Sequence, residues 1–411
     1  MAPQRLQIPP QGIFSKLEKL STIGATPEGG VRRLALSDED KLARDQIVSW
    51  MLDLNLQVRI DQIGNIFGIR AGMENIAPIM TGSHIDTVIN GGNLDGNLGV
   101  IAGLEIANAL NSASIKTRRP FITGVFTNEE GARFHPDMMG SLVYAGGLKL
   151  NEALESRDKK DIALGKELQR IGYDGDLECG AIIPHAFLEL HIEQGPILEQ
   201  ENITIGVVEN LQGISWTEIE INGQANHAGT TPMNLRKDAG YCAAAVTTFV
   251  HNMALEIGNG QVATVGTTEL KPAVINVVPG FAKLTVDLRN PDNEHLIKAE
   301  KKLDLFLKSL EDTQGVTITT QRLARFNPVI FDTAIVDTIE EKADMMKLPH
   351  RKMTSGAGHD AQMMARICPS AMIFIPSVKG VSHNPAEATH PEDIVAGVNL
   401  LLQTTLKLLQ N

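Results

Sequence analysis

Four short segments of this 411-residue chain combine side chains that bind metal ions or move protons. Thr81-Gly82-Ser83-His84-Ile85-Asp86, continued to Asp95-Gly96, places His84, Asp86 and Asp95 in one loop. A neutral imidazole and a carboxylate are usual ligands of a catalytic divalent metal, and a further carboxylate can hold the imidazole's other N–H. A His flanked by Asp can equally be a hydrogen-bonded loop residue. Thr127-Asn128-Glu129-Glu130-Gly131 sets two carboxylates side by side. They repel unless something positive compensates, and a dication compensates most strongly; a solvated loop pair is the plainer reading. With a metal present, one glutamate can be a ligand while its neighbour takes a proton from water at the metal. Leu188-Glu189-Leu190-His191-Ile192-Glu193-Gln194-Gly195 and Val381-Ser382-His383-Asn384-Pro385 each deliver a further histidine. Three histidines and at least two carboxylates exceed the needs of one zinc ion and suit a two-metal site, with structural hydrogen-bonded histidines as the alternative.

These segments must be brought together by the elements around them. Most follow short apolar runs that read as strands, and α/β sheets place ligands at strand ends. Ser37 with Asp40 three residues on opens an amphipathic helix. Val58 with Ile60, residues 66–69, residues 76–80 ending at Thr81-Gly82, and residues 121–126 read as strands, with a buried helix over 98–110. Between residues 213 and 326 the pattern changes to one βαββαβ unit, with strands over 215–221, 261–270, 281–289 and 316–323 and helices over 238–257 and 293–310. The α/β texture returns after Asn327-Pro328 with a helix over 333–346, a strand over 371–376 and a helix over 391–409. The expected fold class is therefore α/β in two domains. A discontinuous catalytic domain, 1–212 with 327–411, surrounds an inserted ferredoxin-like domain, 213–326.

Composition narrows the function. Lys and Arg number 37 against 49 Asp and Glu, a formal net charge of -12, which disfavours nucleic acid and anionic membrane as partners. Cys179, Cys242 and Cys368 have no short spacing, which excludes a disulfide framework or CxxC site and fits a reducing, cytoplasmic setting. The first twelve residues carry no apolar targeting core, and no apolar run reaches membrane-spanning length.

The chain resembles the metal-dependent amidases of the M20 peptidase superfamily, in the branch of N-carbamoyl-L-amino-acid hydrolases, β-ureidopropionases, allantoate amidohydrolases and ureidoglycolate amidohydrolases. The resemblance runs from about residue 20 to the C-terminus. It is carried by GSHIDTVINGGNLDG, TNEEGARF, ELHIEQGP, NHAGTTPM, INVVPG, SGAGHD and SHNPAE, all present and in the family's order. It implies two divalent ions per subunit (Zn, Mn, Co or Ni) on His84, Asp95, Glu130, His191 and His383, with Asp95 bridging. It further implies Glu129 as general base and Asp86 as the partner holding His84. His227, Asn276 and Arg289 would contact substrate from the inserted domain, which would serve as lid and dimerisation unit. Gln194, Gly358 and His359 would line the catalytic side. His227 would act in the neighbouring subunit's site of a homodimer. The local alternatives stay open: Arg289 can pair with Asp287, His227 can cap its own loop, and His359 can merely order its loop. The implied activity is hydrolysis of a linear ureido or amide C–N bond in a small carboxylate-bearing substrate, N-carbamoyl-L-amino acids foremost. Allantoate or ureidoglycolate hydrolysis and an aminopeptidase or dipeptidase of the wider superfamily are the alternatives.

Overall fold

The computed structural model describes residues 6–410. Residues 1–5, part of the opening stretch read as free of a targeting core, lie outside them. The chain divides into two compact units, 1–209 with 331–411, and 210–330. No helix among the described residues is long and apolar enough to cross a membrane.

The first unit opens with α1 (Pro10–Ser21), α2 (Asp38–Asp53), β1 (Gln57–Ile60), β2 (Ile66–Arg70), β3 (Ile79–His84), α3 (Asn97–Ser112) and β4 (Phe121–Phe126). Three short helices follow, α4 (Met139–Tyr144), α5 (Leu150–Glu155) and α6 (Leu164–Ile171), then β5 (Ala186–Ile192), α7 (Ile197–Glu201) and β6 (Ile205–Leu211). Ser37 caps α2 as expected, accepting from the Asp40 N–H, while the Asp40 carboxylate reaches back to the Leu36 N–H at 2.7 Å. The strand ending at the first cluster runs further than its sequence indicates, through Gly82 and Ser83 to His84, because the whole strand is buried and paired along β4.

The second unit contains β7 (Gly213–Asn222), β8 (Asn226–His227), α8 (Ala239–Ile257), β9 (Val262–Lys271), β10 (Val277–Val278), β11 (Phe281–Asn290), α9 (Asn293–Gln314), β12 (Thr317–Phe326) and β13 (Val329–Ile330). Its four long strands form an antiparallel sheet in the order β12-β7-β11-β9. Along β11 burial alternates strictly, and the buried set Ala282, Leu284, Val286 and Leu288 packs with α8 and α9 in one core. This is the βαββαβ succession read from the sequence.

The chain then completes the first unit with α10 (Thr333–Met346), β14 (His350–Ser355), α11 (Asp360–Met364), β15 (Ser370–Ile375) and α12 (Pro391–Gln410). The sheet of that unit runs β1-β2-β4-β3-β5-β15-β6, and β3, β4, β5 and β15 are mutually parallel. Their C-terminal ends share one edge. From β3 the chain goes outward to β4 on one side, and β5 lies on the other, so the strand order reverses between β3 and β5. Open α/β sheets bind ligands in the crevice at such a reversal. Here the β3 and β5 pairing stops at Thr81 with Leu188, leaving Gly82–His84 and Glu189–Ile192 to diverge.

Candidate metal centre

Each parallel strand delivers its polar cluster at that edge. β3 ends on His84, β5 carries His191 one residue before its end, β4 leads into Glu129 and Glu130, and the segment after β15 carries His383. His84 and His191 are each about 1% exposed in their side chains. Their Nδ1 atoms lie 2.9 Å from main-chain carbonyls of Asp86 and Ile192. A ring N–H given to a carbonyl leaves Nε2 as the acceptor; that of His191 takes the Gly96 N–H at 3.2 Å, and that of His84 is left without a partner.

Asp95 stands at the middle. Its Oδ1 lies 3.5 Å from His84 Nε2 and 3.1 Å from His191 Nε2. Its Oδ2 lies 3.3 Å from His383 Nε2, which is 3.5 Å from Glu130 Oε2. Two donor sets result, His84, Asp95 and His191, and Asp95, Glu130 and His383, joined by one carboxylate. Gly96 makes the approach possible: its φ is +67°, and a Cβ there would fall 2.5 Å from the His84 ring.

Four carboxyl groups crowd this buried edge. Asp86, Asp95, Glu129 and Glu130 are all buried or nearly so. Burial, reinforced by Asp360, Glu130 and Asp95, pushes Glu129 well above the usual carboxyl range, and burial with Asp95 pushes Glu130 up to about 8. Asp95 goes the other way: burial opposes its ionisation, but the imidazoles of His191, His383 and His84 gathered around it hold it well below the usual range. His84 Nε2 is buried with no hydrogen-bond partner. An orphaned imidazole nitrogen facing crowded carboxyl groups fits a divalent cation, which binds both donor types.

Glu129 Oε2 lies 3.4 Å from His84 Nε2, outside both donor sets but beside the first. Its backbone is fixed on both sides. Asn128 takes a left-handed φ of 56°, and the Glu129 carbonyl accepts the Met138 N–H at 2.6 Å. Asp86, expected to hold His84, stands beside it without a side-chain hydrogen bond to it. Its carboxylate accepts the N–H groups of Glu129 (3.2 Å) and Glu130 (3.3 Å), while His84 Nδ1 turns to the Asp86 carbonyl and stays 3.9 Å from the carboxylate. The tight reversal after His84 brings the carbonyl closer than the side chain.

Gln194, at φ 57°, donates from its side-chain amide to Asp95 Oδ2 at 2.8 Å. Gly358 packs close to Met138, whose Cε a Cβ would meet at 2.9 Å. His359 has a different setting from the one expected of a lining residue. It is 2% exposed, with its ring 4.4 Å from that of His191 and 5.5 Å from Phe374. Extended geometry at the start of α11 turns it inward. Burial, then His191, holds it well below the ordinary histidine range.

In the second unit, β8 and β10 pair Asn226-His227 with Val277-Val278, and the Ala228 N–H donates to the Asn276 carbonyl at 2.9 Å. His227 and Asn276 are thus neighbours, both exposed. His227 Nδ1 accepts the N–H groups of Gly229 (3.1 Å) and Thr230 (3.2 Å), which caps the loop and leaves the ring proton on Nε2. Arg289 pairs with Asp287 through Nε and Nη2, at 3.0 and 2.9 Å.

Sequence reasoning missed the buried braces. Arg33, fully buried, donates to the Ile85 carbonyl (2.7 Å) and Asn97 Oδ1 (2.8 Å), on either side of the His84 to Asp95 loop. Arg44 binds Asp40, the Gly64 carbonyl and Thr127 Oγ1, just before the Glu129 turn. No local pattern marks either arginine as internal.

Residues 80–407 match the family model of peptidase family M20/M25/M40. An N-carbamoyl-L-amino-acid amidohydrolase of Rhizobium meliloti is 39% identical over 396 residues, covering 96% of this chain and 95% of its own. An allantoate amidohydrolase of Escherichia coli (strain K12) is 36% identical, covering 95% and 96%. The crystal structure of an amidase of the hydantoinase/carbamoylase family from Burkholderia multivorans superposes with a TM-score of 0.93 at 43% identity, over 98% of both chains.

Proposed function

The chain belongs to peptidase family M20/M25/M40, and from that membership we propose that it is a metal-dependent amidohydrolase acting on linear, non-peptide C–N bonds. Its foremost substrates are N-carbamoyl-L-amino acids, hydrolysed to the amino acid, CO2 and ammonia. One observation carries the reading: two donor sets share Asp95, with the buried Glu129 carboxyl beside them.

His84, Asp95 and His191 would hold one divalent ion and Asp95, Glu130 and His383 a second; imidazole with carboxylate accepts Zn, Mn, Co or Ni. When bound, such ions polarise the carbamoyl carbonyl and make water more acidic. Glu129 takes the proton of the attacking water and returns it to the leaving nitrogen. The oxygen–carbon bond forms, the carbon–nitrogen bond to the amino acid breaks, and the carbamic acid released decomposes to CO2 and ammonia.

The second unit supplies recognition as a lid and dimerisation domain. Arg289, its plane fixed by Asp287, and Asn276 suit a substrate α-carboxylate. His227, with its proton on the exposed Nε2, stabilises the oxyanion in the site of a second copy. Ile275, Met233 and Leu235, exposed in the same loops, are apolar surface that a homodimer would cover. Gln194 and Gly358 line the catalytic side, and His359 supports it from behind His191. Three unpaired cysteines support a cytoplasmic setting.

Allantoate is the second reading, favoured by the 36% identity to the allantoate amidohydrolase over almost the whole chain. Metal-reconstituted protein should release ammonia and free amine from N-carbamoyl-L-amino acids faster than from allantoate, ureidoglycolate or dipeptides. Faster release from allantoate transfers the assignment to it, and turnover of dipeptides alone removes the amidohydrolase reading.

A further inference from the structure

His84 and His191 are locked by strands and main-chain carbonyls, but His383 is not. Its side chain is 51% exposed, and its backbone sits at φ 52°, a strained setting for a residue with a Cβ. Something outside the residue must hold it opposite Asp95. Glu387 joins the two loops. Its Oε1 accepts the N–H groups of Leu94 (3.0 Å) and of Asp95 itself (3.2 Å), and its Oε2 accepts Ser382 Oγ at 2.8 Å. Ser382 also lies 3.4 Å from Asp95 Oδ2. An Asx turn at Asn384, with its Oδ1 taking the Ala386 N–H and its carbonyl the Glu387 N–H, brings the carboxylate back under His383. Gly92 leaves the room, since a Cβ there would fall 2.2 Å from Glu387 Oε1.

We propose that Glu387 is the positioning residue of the more exposed donor set, clamping the loops of Asp95 and His383 at the separation that lets them share a cation with Glu130. The inference rests on the metal reading above and deepens it. The first donor set depends on the clamp only through Asp95, because His84 and His191 have their own supports. Loss of the clamp should therefore weaken one ion selectively.

The test uses the full chain, stripped by chelation, reloaded with Co2+ and titrated against a chromophoric chelator while the Co2+ absorption is followed. Wild type should hold two ions. In Glu387→Ala the second should bind about tenfold to a hundredfold more weakly, the usual effect of losing an outer partner of a metal ligand. The first ion and the circular dichroism should stay unchanged. Glu387→Gln keeps an acceptor for the Asp95 N–H and an amide that can donate to Ser382, so it should recover most of the affinity and the two-ion spectrum. Ser382→Ala removes one arm without disturbing a buried carboxylate and should move the second ion the same way. Wild-type affinity for both ions in Glu387→Ala and Ser382→Ala overturns the clamp alone, as does a Gln variant as weak as Ala. A wild type that binds no divalent ion overturns the clamp and the metal reading together.

Discussion

The carboxylate of Asp86 accepts the backbone N–H of Glu129 at 3.2 Å. It thus braces the turn that carries the proposed base while standing 3.9 Å from His84 Nδ1, which is satisfied by the residue 86 carbonyl. That carbonyl survives any side-chain change. Asp86→Ala should therefore leave metal stoichiometry intact while lowering kcat about tenfold or more, in the range seen when an outer support of a site is removed. Steady-state kinetics beside elemental analysis decides it, since loss of metal with kcat per bound ion unchanged would return Asp86 to the ligand side.

Glu129 lies outside both donor sets yet 3.4 Å from His84 Nε2. Glu129→Gln keeps the shape and removes proton transfer. It should retain wild-type metal content and lose about two to four orders of magnitude in kcat, the usual share of general base catalysis. Near-normal turnover would assign the proton to another group.

What was legible in the sequence followed the strength of local patterning. The strand Phe121–Phe126 and the helix Thr333–Met346 match to the residue, because a largely apolar run closed by Thr127-Asn128 and a capped amphipathic period each have clear limits. The short helices α4 to α6 left no such signal, since six to eight residues barely complete two turns. In the site, residue type marked the segments carrying His84, Asp95, Glu129, Glu130, His191 and His383 as candidates, and the family resemblance supplied their roles. Direction was not legible. Whether His84 meets the side chain or the carbonyl of Asp86 is decided by a reversal of three residues, and whether His359 faces ligand or core by the entry to α11. Arg289 pairing with Asp287 was one of two readings the sequence left open; the two side chains stand two residues apart on one face of β11, which brings them into contact. Glu387 stood inside the SHNPAE motif, yet the Leu94 and Asp95 N–H groups it binds lie almost 300 residues away.

Asp360 offers a pH dependence whose sign is fixed by burial. Burial, with Glu189 nearby, raises its carboxyl to about 8, and Ser141 Oγ donates to its Oδ1 at 2.6 Å. A group whose folded pKa is raised contributes stability fully present below its unfolded pKa and lost as pH climbs through the folded value. Wild-type metal-free protein should lose this contribution between about pH 4 and about pH 8. Asp360→Asn mimics the neutral acid and should not lose it. Melting temperatures across that range should shift progressively in favour of the variant as pH rises, and a constant difference would show that the carboxyl is ionised throughout.

The dimer proposal makes a demand that no single-chain arrangement meets. His227 exposes Nε2 with its proton fixed there by two backbone N–H groups on Nδ1. If that N–H acts in the site of a second copy, then Glu129→Gln and His227→Ala damage different halves of one composite centre. Each homodimer would be inactive. Mixed under conditions where labelled subunits demonstrably exchange, they should form hybrids in which one centre combines the intact Glu129 of one chain with the intact His227 of the other. At equal mixing about half the dimers are hybrids, each with one such centre, so activity should approach about a quarter of wild type per chain. Exchange without any recovered activity would place His227 in its own chain's site or outside catalysis, and the apolar loops around Ile275 would then need another explanation.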